Sequence, residues 1–261
     1  MKDKDLKVNW ILSQCIFDDI ERKRYDEFTD IIFKNGDNIG KNYHEPQTCL
    51  SSLNIARDCG FYNKETYKVS NYSKYLGEEF LNEDYIIMPL SKIAHPSNFT
   101  ADIIKNMTSN QVFIKPDSGF KSFTGDIIDY TEIGEHCRYL LNIGVSENEL
   151  CIISSAKNIE SFEFRFWIID GKIITNSVYS WSDLSNFDKF EPDEDMIKYV
   201  EKVIKNINIP AFTIDICICD DKFKVVEINN IYTSGTYDCD LKKLYFGMRE
   251  LAIKEYKECE A

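Results

Sequence analysis

Asp215, Glu227 and Asn229 lie close together in the stretch AFTIDICICDDKFKVVEINNIYTSG at residues 211–235. All three offer hard oxygen donors, and Mg²⁺ is held by such groups, typically one or two carboxylates together with substrate phosphates. Three cations elsewhere, Lys115, Lys121 and Arg165, are of the types that bind phosphate oxygens as point charges or forked donors. Each feature has a plainer alternative. The acidic pair fits a solvated sheet edge, and the lysines fit an ordinary hairpin loop. Arg165 fits an ion pair with a carboxylate inside its own sheet.

The elements that carry these residues follow from periodicity. Phe212, Ile214, Ile216 and Ile218 alternate with Thr213, Asp215, Cys217 and Cys219, as in a strand with one greasy face. On the returning strand Val225, Glu227 and Asn229 share a face. A loop over 220–222 pairs Cys219 with Phe223, Cys217 with Val225 and Asp215 with Glu227. Like charges directly opposite one another destabilise a sheet unless a cation neutralises them. Residues 111–116 (QVFIKP) form a strand ending near Lys115, and 126–128 resume it. The intervening DSGFKSFTG carries Lys121, with Gly119 and Gly125 allowing close backbone approach, so it reads as a flap over phosphates. It is not a P-loop, because Gly-x-x-x-x-Gly-Lys-Ser/Thr is absent and no helix directly follows. Residues 162–170 and 172–179 form a hairpin across Asp170-Gly171. On it Arg165 shares a face with Glu163 and Trp167, and so apolar a strand demands a partner or an anion for the arginine.

With 261 residues the chain supports a sizeable core. A net charge of −13 argues against a broad nucleic-acid or anionic-membrane surface. No apolar run reaches a membrane span and the start lacks a signal-peptide stretch, so the expected location is the cytoplasm. The nine cysteines are odd in number and include no Cys-x-x-Cys pair; they read as small, partly buried thiols in a reducing compartment. The three histidines show no ligand spacing.

The remaining pattern predicts strands at 8–17, 85–90 and 149–155, and helices at 21–34, 50–59, 72–81, 98–107, 131–141, 194–206 and 241–257. Loops are expected at 41–48 and 181–195, and a junction at 95–97. Residues 1–95 read as a small α/β unit without recognisable chemistry.

The order of strand-lysine-proline, lysine-bearing loop, Glu-Phe-Arg hairpin, helix and Asp…Glu-x-Asn hairpin resembles the ATP-grasp superfamily. The resemblance is closest to its clade defined by one arginine and two lysines, found in bacteria and phages. It rests on VFIKPDSGFKSFTG, FEFRFWIIDGKIITNSVY and FTIDICICDDKFKVVEINNIYTSG, spanning about residues 110–240. It implies an α+β ATP-grasp fold, two α/β lobes with antiparallel sheets that clamp a nucleotide, preceded by a small α/β domain. The expected boundaries are 1–95, 96–155 (flap and hinge strand) and 156–261 (metal site).

The same resemblance implies ATP and Mg²⁺ as cofactors. Lys115 and Lys121 would hold phosphates, and Cys151, Ile152, Ile153 and Ser154 would form the hinge strand that recognises adenine. Glu163 belongs to the nucleotide site, and Arg165 would hold the γ-phosphate and then an acyl phosphate. Asp215, Glu227 and Asn229 would coordinate the metal, while Thr233, Ser234 and Gly235 would cradle the substrate. Tyr179 stands where a second basic residue is common. The implied activity is ATP-dependent carboxylate–amine ligation on a small-molecule, peptide or protein substrate. The alternatives are a kinase-like phosphotransferase, a non-catalytic nucleotide-binding module and a non-enzymatic interaction protein.

Overall fold

The computed structural model describes residues 6–12, 30–32, 34, 36–39, 45–51, 53–61, 69–107, 110–119, 121–159, 162–179 and 191–260. The expected helix at 21–34 and loop at 181–195 lie largely outside these, as do Cys15 and the later part of the 8–17 strand. The chain divides into two compact units. One comprises Met1–Lys68, Phe162–Asp215 and Asn229–Ala261; the other comprises Val69–Ser161 and Ile216–Ile228.

The first unit holds a parallel sheet of β1 (Asn9–Leu12), β2 (Asn38–Ile39) and β3 (Gln47–Leu50), with β1 in the centre. Helix α1 (Leu53–Asp58) follows β3. The sequence pattern places residues 47–48 in a loop and starts a helix at Leu50; instead, Gln47–Leu50 pairs with Asn9–Leu12, and the helix begins only at Leu53. Pairing with a distant strand overrides the local preference of so short a segment.

β8 (Glu163–Ile169) and β9 (Lys172–Tyr179) form the expected hairpin, with Asp170 at φ 49° and Gly171 at φ 69°. Both φ values are positive, as a type I′ turn requires. Helix α6 (Glu194–Ile204) is capped by the Asp193 carboxylate, which accepts from the Met196 amide at 2.8 Å. The last helix, α7 (Leu241–Glu260), contacts both sheets of its unit. Gly247 lies so close to the β8–β9 hairpin that an added Cβ would stand 3.1 Å from Ile169 and Ile174. On the parallel sheet, Tyr245 stacks on Trp10 at 5.4 Å. The buried Asp37 carboxylate accepts from the Val8 amide, Trp10 Nε1, the Tyr245 hydroxyl and Arg249.

The second unit contains the antiparallel sheet β4-β7-β5-β6, made of Ile86–Pro89, Leu150–Ser155, Gln111–Pro116 and Asp126–Asp129 respectively. Helices α3 (Leu90–Ala94), α4 (Asn98–Met107) and α5 (Ile133–Asn142) bury Leu90, Ile93, Ile104, Cys137 and Leu140 with Val112, Ile114 and Ile153 of the sheet. The expected helix at 72–81 is shorter: α2 (Ser73–Leu76) lasts one turn before Gly77 takes φ 52° and a 3-10 turn follows.

β10 (Ala211–Cys219) and β11 (Lys222–Asn230) are the hairpin along which the chain passes between units, in a sheet ordered β11-β10-β8-β9. Nearly every residue of β10 is buried, so its alternation does not separate a wet face from a greasy one. The turn takes two residues, Asp220 at φ 52° and Asp221 at φ 56°. Aspartate tolerates the left-handed region, which lets Asp-Asp form a type I′ turn unaided. The three-residue loop over 220–222 is therefore not formed, and the direct Asp215–Glu227 pairing that depended on it falls with it.

Candidate functional site

Within the second unit, the lysines and Glu227 form one cluster. Lys115, near the end of β5, is buried; its Nζ donates to the Val226 carbonyl at 3.1 Å and lies 3.6 Å from Glu227 Oε2. The same ammonium sits 5.1 Å from the Tyr72 ring centre and 5.9 Å from that of Phe80, within cation–π range. Lys121 is about half exposed and reaches Glu227 Oε1 at 3.0 Å. Its backbone stands at φ 46°, a region costing an L-residue roughly 1–2 kcal/mol. The two glycines of the loop serve by their small size. A Cβ on Gly119 would lie 2.9 Å from the Ile228 carbonyl, and one on Gly125 would lie 2.8 Å from the Phe113 ring.

The stem of this loop is bolted to residues 69–73. Gly119 N donates to Val69 O at 2.7 Å, Asn71 N donates to Asp117 O at 2.7 Å, and Ser70 bridges Ser118. The Asp117 carboxylate accepts from Ser73 N at 3.3 Å and from Ser73 Oγ at 3.1 Å. Burial pushes the Asp117 carboxyl above its ordinary value; the Ser73 bonds and the charges of Lys74 and Lys115 oppose this without cancelling it. Sequence reasoning missed Asp117, Tyr72 and Phe80. Only contact with Lys115 or with its loop marks them, and their own segments carry no motif.

Residues Cys151, Ile152 and Ile153 of β7 pair with β5 on one side and with β4 on the other. Their backbone is committed to two ladders, whereas Ser154 and Ser155 pair with β5 alone. Ser154 Oγ accepts from Asn82 at 2.8 Å, and Asp84 receives Ser155 N, Ser155 Oγ and Lys157.

Within the first unit, Arg165 of β8 donates from Nε and Nη2 to the two carboxylate oxygens of Asp215, both at 2.7 Å. The pair is 3% and 0% exposed, so water screens it little. Asn229 Nδ2 lies 3.5 Å from Asp215 Oδ2, and the Tyr237 ring centre is 5.1 Å from the guanidinium carbon. The in-sheet ion pair weighed for Arg165 is thus the one observed. Glu163 is half-buried and lies opposite Tyr179. Thr233 and Ser234 are drawn into the turn after the hairpin: each hydroxyl meets the Asn230 carbonyl, at 3.4 and 2.8 Å, and Ser234 Oγ lies 3.0 Å from Thr213 Oγ1. Gly235 packs beside the Tyr237 ring.

The structure brings Lys115, Lys121 and Glu227 together in one unit and Arg165, Asp215 and Asn229 in the other. Among the described residues no group of three or more His, Cys, Asp or Glu side chains is placed to hold a metal. The chemistry of the expected donors nevertheless suits a hard cation, since Asp215, Glu227 and Asn229 offer oxygen only. Cys49, Cys137, Cys151, Cys217, Cys219 and Cys239 are buried, whereas Cys259 is exposed. Among the described residues eight cysteines are free, and burial pushes Cys49 and Cys137 up to about 12. No described helix is long and apolar enough to cross a membrane.

Two antiparallel sheets, one carrying the lysines and the other the arginine, have the character of an ATP-grasp fold, and comparison with known proteins assigns that fold to the chain. The sequence profile of the ATP-grasp domain, R2K clade family 2, matches residues 92–246. The chain belongs to that family. Similar solved structures include the D-cycloserine synthetase DcsG, with a TM-score of 0.62 at 9% identity, covering 94% of this chain and 99% of that one. D-alanine–D-alanine ligase from Bacillus anthracis, complexed with ATP, scores 0.55 at 13% identity over 97% and 99% of the two chains. N5-carboxyaminoimidazole synthetase from Staphylococcus aureus, complexed with ADP, scores 0.57 at 11% identity over 93% and 77%. No curated protein sequence matches the chain.

Proposed function

We infer that the protein is an ATP-dependent carboxylate–amine ligase. The observation that supports this best is a matched pairing of charge. Each of the three cations, Lys115, Lys121 and Arg165, meets a carboxylate of the β10–β11 hairpin, Asp215 or Glu227. A nucleotide with a hard cation can exchange into such pairs, phosphate oxygens taking the lysines and arginine while the carboxylates take the metal.

In this reading Lys115 and Lys121 hold phosphate oxygens, and Arg165 holds the transferring phosphoryl group. Asp215, Glu227 and Asn229 hold Mg²⁺, which supplies charge neutralisation to the phosphates. Backbone at the end of β7, from Ser154 onward, contacts the base, and Thr233, Ser234 and Gly235 shape the substrate end through their turn. A substrate carboxylate oxygen attacks the γ-phosphorus, the bond to the bridging oxygen breaks, and ADP leaves. An amine then attacks the acyl carbon, losing a proton, and phosphate departs as the amide forms. The charge spread over the phosphoryl oxygens is met by Lys115, Lys121 and Arg165, so no side-chain nucleophile is needed.

The test is a thermal melt with and without Mg-ATP, for wild type and Glu227→Gln. A ligand at about a hundred times its Kd adds about 2.7 kcal/mol to the folded state. A wild-type shift that shrinks in the variant supports the reading and leads to an acceptor screen; an absent wild-type shift refutes it. ADP release without amide in that screen would move the assignment to a phosphotransferase.

A further inference from the structure

We propose that Asp117 is a positioning residue for the two lysines, locking the stem of their loop through its side-chain bonds to Ser73. The inference rests on the nucleotide reading given above. Asp117 lies two residues beyond Lys115 and four before Lys121. Its carboxylate is 2% exposed and takes both the amide and the hydroxyl of Ser73, at 3.3 and 3.1 Å. Its own backbone is held on both sides, N to Leu150 O at 2.8 Å and O from Asn71 N at 2.7 Å. Two residues on, Gly119 is clamped between Val69 and the Ile228 carbonyl.

The consequence is directional. β5 delivers Lys115 buried and fixed, whereas Lys121 extends from a half-exposed loop in a disfavoured backbone region. Without a fixed stem, that lysine has no defined starting point, and its hold on an anion costs more ordering entropy. A buried carboxylate that bonds a serine rather than a cation is costly for stability alone. Asparagine keeps an acceptor for the Ser73 amide and a donor for its hydroxyl, so the geometry survives loss of the charge.

Calorimetric titration with Mg-ATP, well below the melting temperature, tests this. Asp117→Ala should weaken binding about tenfold and Asp117→Asn less than about threefold, the loss of a buried hydrogen-bonded anchor being of this order. Ser73→Ala, which removes the hydroxyl donor alone, should weaken binding in the same direction and serves if Asp117→Ala does not fold. Unchanged affinity in Asp117→Ala or Ser73→Ala, with only a lowered melting temperature, would overturn the proposal and make the contact purely structural. Asparagine as damaging as alanine would overturn it too, pointing to charge rather than geometry. If wild type itself fails to bind Mg-ATP, the ligase reading falls instead.

Discussion

Replacing Asp215 with asparagine removes one charge from a pair that is almost wholly buried, and the size of the effect can be worked from the geometry. Both bonds are 2.7 Å long, and both partners lie below 5% exposure. Two unit charges ~4 Å apart attract by about 4 kcal/mol at an effective dielectric of about 20. Removing one member leaves the other charge buried and unmatched, for which about 3–5 kcal/mol is typical. Asparagine retains one acceptor for the guanidinium, which places the expected loss near the lower end, about 3 kcal/mol. At roughly 2–4 °C per kcal/mol for a chain of this order, the melting temperature should fall by about 6–12 °C. The double variant Arg165→Met/Asp215→Leu should recover most of that loss, because a well-packed apolar pair is often no less stable than a buried ionic one. The assay is thermal unfolding followed by circular dichroism on the wild type, Asp215→Asn and the double variant. A melting temperature for Asp215→Asn within about 2 °C of wild type would refute the reasoning, since a buried, doubly bonded carboxylate cannot be neutralised at so small a cost. Lost activity in this variant would mix a missing metal donor with a weakened fold.

Glu227→Gln leaves half-exposed Lys121 screened by water but takes the carboxylate from buried Lys115, so stability should fall by about 1–3 kcal/mol while Mg-dependent ATP binding falls more than about tenfold, checked by melting and titration together. Gly119→Ala should cost about 1–3 kcal/mol in urea unfolding, because its Cβ would meet the Ile228 backbone at 2.9 Å. Asp37→Ala should cost about 3 kcal/mol or more by the same measurement, stranding the Trp10, Tyr245 and Arg249 donors. Burial pushes the Asp84 carboxyl up, but the Ser155 and Lys157 bonds outweigh it and leave it below the ordinary value of 3.8. A depressed acid stabilises the fold above its unfolded pKa and loses that contribution as pH falls through the folded value. The melting difference between wild type and Asp84→Asn should therefore be full at neutral pH and vanish only below pH 3.8.

What the sequence discloses is local. The Asp170-Gly171 hairpin, α4 and the last helix follow from turn chemistry and periodicity, and each forms where expected, with small differences at the ends. The cations and carboxylates of the site were legible by type, because few residue types carry such chemistry. Their partners were not. Asp117 meets Ser73 across forty-four positions and Arg165 meets Asp215 across fifty, separations that no window of periodicity spans. The β10–β11 turn misled for a different reason: Lys222 is polar, but polarity does not make a loop, and Asp-Asp closes the hairpin alone. β3 was hidden because a four-residue parallel strand draws its stability from β1 rather than from its own residues.

The Asp37 knot has a consequence for synthesis on the ribosome. Tyr245 and Arg249, which complete the bonds to its carboxylate, emerge 208 and 212 residues after Asp37. At roughly 5–20 residues per second, more than two hundred residues separate these events by about ten seconds or longer. Throughout that interval Trp10 lacks its stacking partner and Asp37 lacks its arginine. The sheet of Val69–Ser161 has all four of its strands much earlier. The nascent chain should thus acquire protease resistance in Val69–Ser161 first, and a polypeptide stalled before residue 245 should carry an open, chaperone-binding segment around Trp10 and Asp37.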